Sequence, residues 1–247
     1  MSLLDCDRIV LAQPFGGLGD NLLYSTLPER FAALGKTVYI ARKNVVRGQS
    51  AFDLVWGANP YVSGMIDEAP NAGDCCYSAY ATHGEGPRVK NIISRIEAAH
   101  GLEPLHTIPK VYYQPTLIED LRDKIIVDVT SNSIGFGGET VISFLNQMFT
   151  WYRYPAQNAL QVRFEASAPV KNMVLVENIG TIMLESLFHY CNVLYSCAAF
   201  ITVHSGAHCL AVALRGTRPG PHIDCLVSRD YFNSRLAIFP EVEYFVC

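Results

Sequence analysis

The sequence predicts an α/β chain built as two successive halves, each with strands linked through helices. Three observations predict it. Residues 8–13 and 124–129 are near-continuous apolar runs, the composition of strands buried on both faces. Each run enters a loop of glycines or small polar residues, and apolar residues at helical spacing follow. Strands then alternate with helices through both halves, which argues for layered α/β structure.

The elements follow in order. Residues 8–13 form the first strand and enter Pro14-Phe15-Gly16-Gly17-Leu18-Gly19-Asp20. Leu22, Leu23, Leu27, Phe31 and Leu34 then recur at helical spacing. Pro28 is expected to kink or restart that helix, and Gly35 to stop it. Residues 37–41 supply a second strand, completing a β-loop-α-β unit. A helix over 51–57 ends at Asn59-Pro60, and 61–67 lead into a short strand. Residues 70–88 read as loop, 89–100 as a helix stopped by Gly101, and 104–115 as an extended, proline-punctuated stretch. In the second half, 124–129 is a strand, 130–138 a small-residue loop, 141–148 a helix and 170–176 a strand. A helix over 184–195, a strand over 200–203, a turn at 204–206 and a helix through 214 come next. Residues 223–227 and 244–246 are late strands. The turn-rich seam near 113–123 divides the chain into domains 1–117 and 118–247.

Composition narrows the function classes. Half of the residues are apolar and 17% are charged, which excludes a disordered chain. Nineteen Lys+Arg against 23 Asp+Glu give a net charge of −4, and no window is rich in base. A duplex nucleic-acid footprint is therefore not expected. Backbone amides can still bind a phosphate locally. The N-terminus lacks a basic segment ahead of its short apolar stretch, so no signal peptide is expected. The longest apolar run, 197–203, is far short of the roughly 20 residues that span a bilayer. A cytoplasmic protein is the expectation. The eight cysteines contain no CxxC pair and are expected mainly as buried free thiols, with disulfides and metal ligation as the alternatives.

Two loops carry chemistry. In the first, Gly16, Gly17 and Gly19 let the backbone approach a ligand, and the following helix start favours an anion. Asp20 and Asn21 stand at that junction, where a carboxylate is also a good helix cap. The spacing is not a dinucleotide fingerprint, since residues 41–43 (Ala-Arg-Lys) offer no acid at the end of the second strand. In the second loop, His204-Ser205-Gly206-Ala207-His208-Cys209 turns an apolar strand into an alanine-rich helix, a setting for a diphosphate. Ser131 and Ser133, in the loop after 124–129, are further candidate phosphate contacts. His204 and His208, with Cys209 adjacent, have the spacing of a shared metal site, but a third ligand is not evident and no metal is expected.

The segment Gly16-Gly-Leu-Gly-Asp-Asn-Leu-Leu-Tyr-Ser-Thr-Leu-Pro28 and the Ser205-Gly206…Leu210 turn resemble the ADP-heptose:lipopolysaccharide heptosyltransferases (glycosyltransferase family 9). Asn59-Pro60-Tyr61-Val62 is similar to a family segment too, though a helix stop followed by a strand is the favoured reading of it. The resemblance implies a GT-B-like fold: two Rossmann-like parallel-sheet domains facing across a cleft, acceptor side first and donor side second. It implies an inverting, metal-independent transfer of a heptose-like sugar to a glycan or lipopolysaccharide-type acceptor. Asp20 would be the catalytic base. Gly16, Gly17, Gly19 and Asn21 would line the acceptor or phosphate loop. Ser131, Ser133, His204, Ser205, Gly206 and His208 would meet the donor. The co-substrate would be a nucleotide-diphosphate sugar, ADP-linked by preference, with no resident cofactor, and membrane association only through the acceptor.

The sequence departs from the family where His204 replaces an Asp, Cys209 replaces a His, and 131–148 lack the family's phosphate-contacting Lys. A protonated His204 could replace that Lys. Two alternatives stay open: a non-catalytic nucleotide-sugar binder, and another GT-B enzyme such as a fucosyltransferase-like protein or a sugar-nucleotide epimerase. Trp56 and Trp151 read as packing groups. Glu177 and Asn178 lie where a base or ribose could be read, or form a solvated pair.

Overall fold

A computed structural model describes residues 3–12, 17–42, 48–66, 76–77, 91–130, 136–152, 154–165, 176, 179–215, 220–234 and 237–247. The chain forms two compact units, Met1–Tyr113 with Arg235–Phe239, and Gln114–Ser234 with Pro240–Cys247. The sequence reading drew the seam at 117/118 and left 235–239 in the second domain. Hydrogen bonds explain the difference at the first boundary. Before it, Lys110 N–H donates to Ser25 Oγ at 2.8 Å, and Glu29 accepts from Lys110 Nζ and from Tyr112 Oη. After it, Thr116 N–H donates to Asn192 Oδ1 at 2.9 Å and Ile118 N–H to Ser196 Oγ at 2.8 Å.

The first unit carries strands β1 (Arg8–Leu11), β2 (Thr37–Ala41), β3 (Gly64–Ile66) and β4 (Cys76–Tyr77) in the order β3-β2-β1-β4, all parallel. Ile9, Val10 and Leu11 are buried, as the apolar run requires. β4 falls in the stretch read as loop. The helical run after β1 is broken into α1 (Leu18–Leu23) and α2 (Leu27–Ala32), with Pro28 in the first turn of the second, where its missing N–H does no harm. α2 closes as a Schellman turn: Gly35 N–H meets Ala32 O at 2.9 Å, Lys36 N–H meets Phe31 O at 3.0 Å, and Gly35 has φ +75°. Leu34 lies in that turn and is 52% exposed, so it is not part of the buried stripe.

α3 (Gln49–Phe52) widens into a π-helical turn, Asp53–Gly57, that buries Trp56. Asn59 then ends the segment by accepting Tyr61 N–H on Oδ1 at 2.9 Å. α4 (Ile92–Ala99) is capped by Asn91, whose Oδ1 accepts Ser94 N–H at 3.1 Å. The extended stretch behind it is pinned by Glu97, fully buried, which accepts the N–H groups of Leu105 and His106 and the His106 ring. Burial raises the Glu97 pKa, but these hydrogen bonds outweigh it and hold the carboxyl below its usual range.

The second unit carries β5 (Ile125–Asp128), β6 (Ala159–Phe164), β7 (Gly180–Leu184), β8 (Ala199–Val203), β9 (His222–Val227) and β10 (Glu243–Val246). Their order is β10-β9-β8-β5-β6-β7, all parallel. Counted from β5 this is the Rossmann order 3-2-1-4-5-6. Helices α5 (Gly138–Asn146), α6 (Leu187–Ser196), α7 (Gly206–Arg215) and the short α8 (Arg229–Ser234) connect the strands, and α5 runs on as a π-helical stretch, Gln147–Tyr152.

β6, β7 and α8 are absent from the sequence reading. The strand expected over 170–176 lies, save Val176, outside the described residues. The core packs Ile125, Val127, Phe144, Leu145, Ile201 and Leu226 together.

Cys6 is disulfide-bonded, against the expectation of free thiols. Cys191, Cys197, Cys209 and Cys225 are buried and free, as expected. Burial pushes the Cys191 thiol up to about 12, so it is a packing group rather than a nucleophile.

Candidate functional site

In an open parallel sheet the strand order reverses at one point, and the carboxyl ends of the strands there leave a crevice for a ligand. The second unit reverses between β5 and β8. At the end of β5, Asp128 is buried. Its Oδ1 accepts Thr130 N–H at 3.1 Å and Thr130 Oγ1–H at 2.5 Å, and its Oδ2 accepts Tyr190 Oη–H at 2.6 Å. Burial raises the Asp128 pKa beyond what these donors recover, and burial with the nearby carboxyl raises Tyr190. Asp128 thus bends the chain into the loop after β5. The sequence reading missed it. Its signal was the one acid inside the apolar run 125–129. Ser131 and Ser133, expected in that loop, lie outside the described residues. The loop ends at Gly137, which opens α5. A hollow of about 460 Å³ lies beside this helix start and the carboxyl ends of β9 and β10, lined by Glu139, Thr140, Phe144, Leu226 and Phe245 among others.

At the end of β8, Ser205 precedes α7, and its Oγ accepts Ala207 N–H at 3.3 Å. His208 reaches back: its Nδ1 lies 3.1 Å from Ser205 N and 2.5 Å from Ser205 O. The tautomer decides which of these is the hydrogen bond; either fixes the ring on its own turn. His208 is fully buried, and His204 is 5% exposed, its ring lying between His208 (4.6 Å) and Tyr231 (5.1 Å between centroids). His208 closes the helix start, and His204 packs against the rings of His208 and Tyr231. Ser205 and Gly206 are half-buried, at the surface of the turn. Among the described residues, the three metal-ligating side chains that converge are His222, Asp224 and Glu243.

In the first unit the reversal lies between β1 and β4. The loop after β1 includes Gly16, outside the described residues. Gly17 is the N-cap of α1, and Gly19 sits in the first turn. Asp20 is half-buried and reaches back to the cap: Gly17 N–H donates to its Oδ2 at 3.2 Å. A Cβ on Gly17 would stand 2.8 Å from that same oxygen, so a larger residue there would push the Asp20 carboxylate aside. Asn21 is fully buried. Its Nδ2 donates to Gly17 O at 2.8 Å and its Oδ1 accepts Trp56 Nε1–H at 2.7 Å. Asn21 thus bolts the loop to Trp56, a packing group as expected. The side chain of Trp151, and residues Glu177 and Asn178, lie outside what is described. No helix among the described residues is long and apolar enough to cross a membrane.

No protein-family model and no curated protein matches the chain. Solved structures do. The bacterial iron-containing dodecameric glycosyltransferase TibC from enterotoxigenic E. coli superposes with a TM-score of 0.64 at 17% identity, covering 98% of this chain and 63% of TibC. TibC in complex with ADP-D-β-D-heptose, described as a heptosyltransferase, gives 0.63 at 17% identity and the same coverage. A family 9 glycosyltransferase from Veillonella parvula gives 0.60 at 11% identity, over 99% of this chain and 86% of that one. The chain spans about 63% of the length of TibC. At these identities the likeness is one of fold: a GT-B-like α/β architecture with two Rossmann-like parallel-sheet units.

Proposed function

We propose that the chain is a glycosyltransferase that moves a heptose-like sugar from a nucleotide-diphosphate donor, ADP-linked by preference, to a glycan or lipopolysaccharide-type acceptor. The observation that carries this is the fold likeness over 98% of the chain to TibC, a protein crystallised with ADP-D-β-D-heptose. In this reading the donor's diphosphate lies at the carboxyl ends of β5 and β8, against the start of α7 at Ser205 and Gly206. A helix of ten residues supplies N–H groups and a partial positive charge there, and these stabilise the departing diphosphate without a metal ion. Asp20 takes the proton of the acceptor hydroxyl. The hydroxyl oxygen bonds to the anomeric carbon from the side opposite the diphosphate. The bond to the diphosphate breaks with its electron pair, and the configuration inverts.

A second reading, a nucleotide-sugar binder without turnover, is favoured by the Asp20 carboxylate's engagement as the helix's own cap. One experiment tests both. ADP-heptose is supplied with lipopolysaccharide-core oligosaccharide, and ADP release is followed for the wild type and Asp20→Asn. The transferase reading expects turnover that falls about 10²–10⁴-fold in the variant, the usual worth of a general base, with ADP affinity unchanged. Binding without turnover favours the binder. Turnover equal in both proteins removes Asp20 from the role of base.

A further inference from the structure

We propose that His222, Asp224 and Glu243 form a site for one divalent transition-metal ion of the zinc class at the amino-terminal edge of the second unit's sheet. The proposal is independent of the transferase reading. His222 and Glu243 are the first residues of β9 and β10, so the site lies at the opposite end of the strands from the crevice described above.

The strand register assembles the ligands. Asp224 and Glu243 are register partners on adjacent parallel strands, and His222 precedes Asp224 by two, so the three side chains share one face of the sheet. His222 Nε2 lies 3.1 Å from Asp224 Oδ1 and 3.5 Å from Glu243 Oε2, and the ligand atoms all lie within 4.8 Å of one another. Ligand atoms bound at about 2.0–2.1 Å to a tetrahedral ion stand about 3.3–3.4 Å apart. The two separations from His222 bracket that edge length.

The surroundings suit an ion as well. Asp224 is fully buried, and its outer oxygen, Oδ2, accepts Tyr154 Oη–H at 2.7 Å. That bond turns Oδ1 toward His222, the kind of outer contact that orients a ligating carboxylate. His222 and Glu243 have side chains 48% and 42% exposed, which opens the remaining coordination positions to water. Two carboxylates beside one imidazole are a donor set that a divalent cation matches in charge. The nitrogen donor selects zinc-like ions over magnesium, which takes oxygen ligands. A metal here would tie β10, an edge strand, to β9.

The test uses the full chain, tag-free and stripped with a chelator, titrated with zinc chloride by calorimetry and followed by thermal shift. The expected result is one zinc ion per chain, insensitive to millimolar magnesium, and a raised melting temperature. His222→Ala and Glu243→Gln are expected to abolish that stoichiometric binding. Both side chains are about half exposed, so the variants are expected to keep the wild-type circular dichroism. Tyr154→Phe, which leaves all three ligands in place, is expected to weaken binding about 10–100-fold. It also supplies the answer should a ligand variant not fold. Absence of saturable zinc binding by the wild type overturns the proposal. Zinc binding unchanged in His222→Ala and Glu243→Gln, or unchanged in Tyr154→Phe, overturns it too.

Discussion

Asn21 shows how one residue changes meaning once its surroundings are known. Beside three glycines and an aspartate it reads as a phosphate contact. In the fold its amide joins Gly17 O to the indole of Trp56, 35 positions away. Sequence spacing carries no trace of that long-range partner. Removing the amide leaves the Trp56 N–H buried without its acceptor, at a cost of about 1–3 kcal/mol. Asn21→Leu is therefore expected to lower the unfolding free energy by that much, read as a lower urea midpoint, and an unchanged midpoint would refute the assignment. Gly17 and Asp20 were more legible, because the glycine-rich loop and its carboxylate belong to one turn. His204 and His208 were legible as a helix start but not as buried groups. Exposure depends on Tyr231 and on the turn of α7, which the local sequence does not reveal. Asp128 was hidden by the apolar run around it.

At the scale of elements, caps and buried strands were readable because their causes are local. Gly35 and Gly101 stop their helices with φ of +75° and +77°. Gly35→Ala forces a side chain into the left-handed region and is expected to destabilise by about 1 kcal/mol, read as a lower melting temperature. An unchanged melt would show that the Schellman turn contributes nothing. β8 was clear because all five of its residues are buried. β6 was missed because Gln161 and Arg163 interrupt its apolar residues. Gln161 is nonetheless buried, its Oε1 accepting Val176 N–H at 3.2 Å. β7 was missed because it is an edge strand, exposed at Gly180, Thr181 and Met183. The helix after β1 was expected to kink or restart at Pro28, and it restarts, with the second helix beginning at Leu27.

At the scale of the whole molecule, strand order is what the sequence withheld and what positions the candidate site. Two parallel sheets were legible from alternating elements. The reversal points, β1/β4 and β5/β8, come only from pairing, and β4 is too short to announce itself. The pH dependence of stability also belongs to this scale. Burial holds His100 below its ordinary 6.5, against the bond to Ile96 that raises it. The unfolded chain then binds that proton first, so this contribution is full above pH 6.5 and declines as pH falls. Glu29 and Glu97 are held below 4.5. Burial raises both, but Lys110 and Tyr112 outweigh it for Glu29, and His106 with two backbone N–H groups does so for Glu97. Their contribution is full above pH 4.5 and is lost as pH falls through their folded values. Asp128, which burial raises, has the opposite sign, so the test is made in Asp128→Asn: its unfolding midpoints are expected to be flat from pH 7 to 8, to decline below 6.5 and to fall again below 4.5, and a rise on acidification in that variant would contradict these signs. The central claim is that the second unit holds a nucleotide diphosphate, and a thermal-shift titration tests it most directly. At a hundredfold excess over its Kd, ADP is expected to add about 2.7 kcal/mol and raise the melting temperature by about 5–10 °C, ahead of GDP and UDP. No shift with any of the three nucleotides would contradict it.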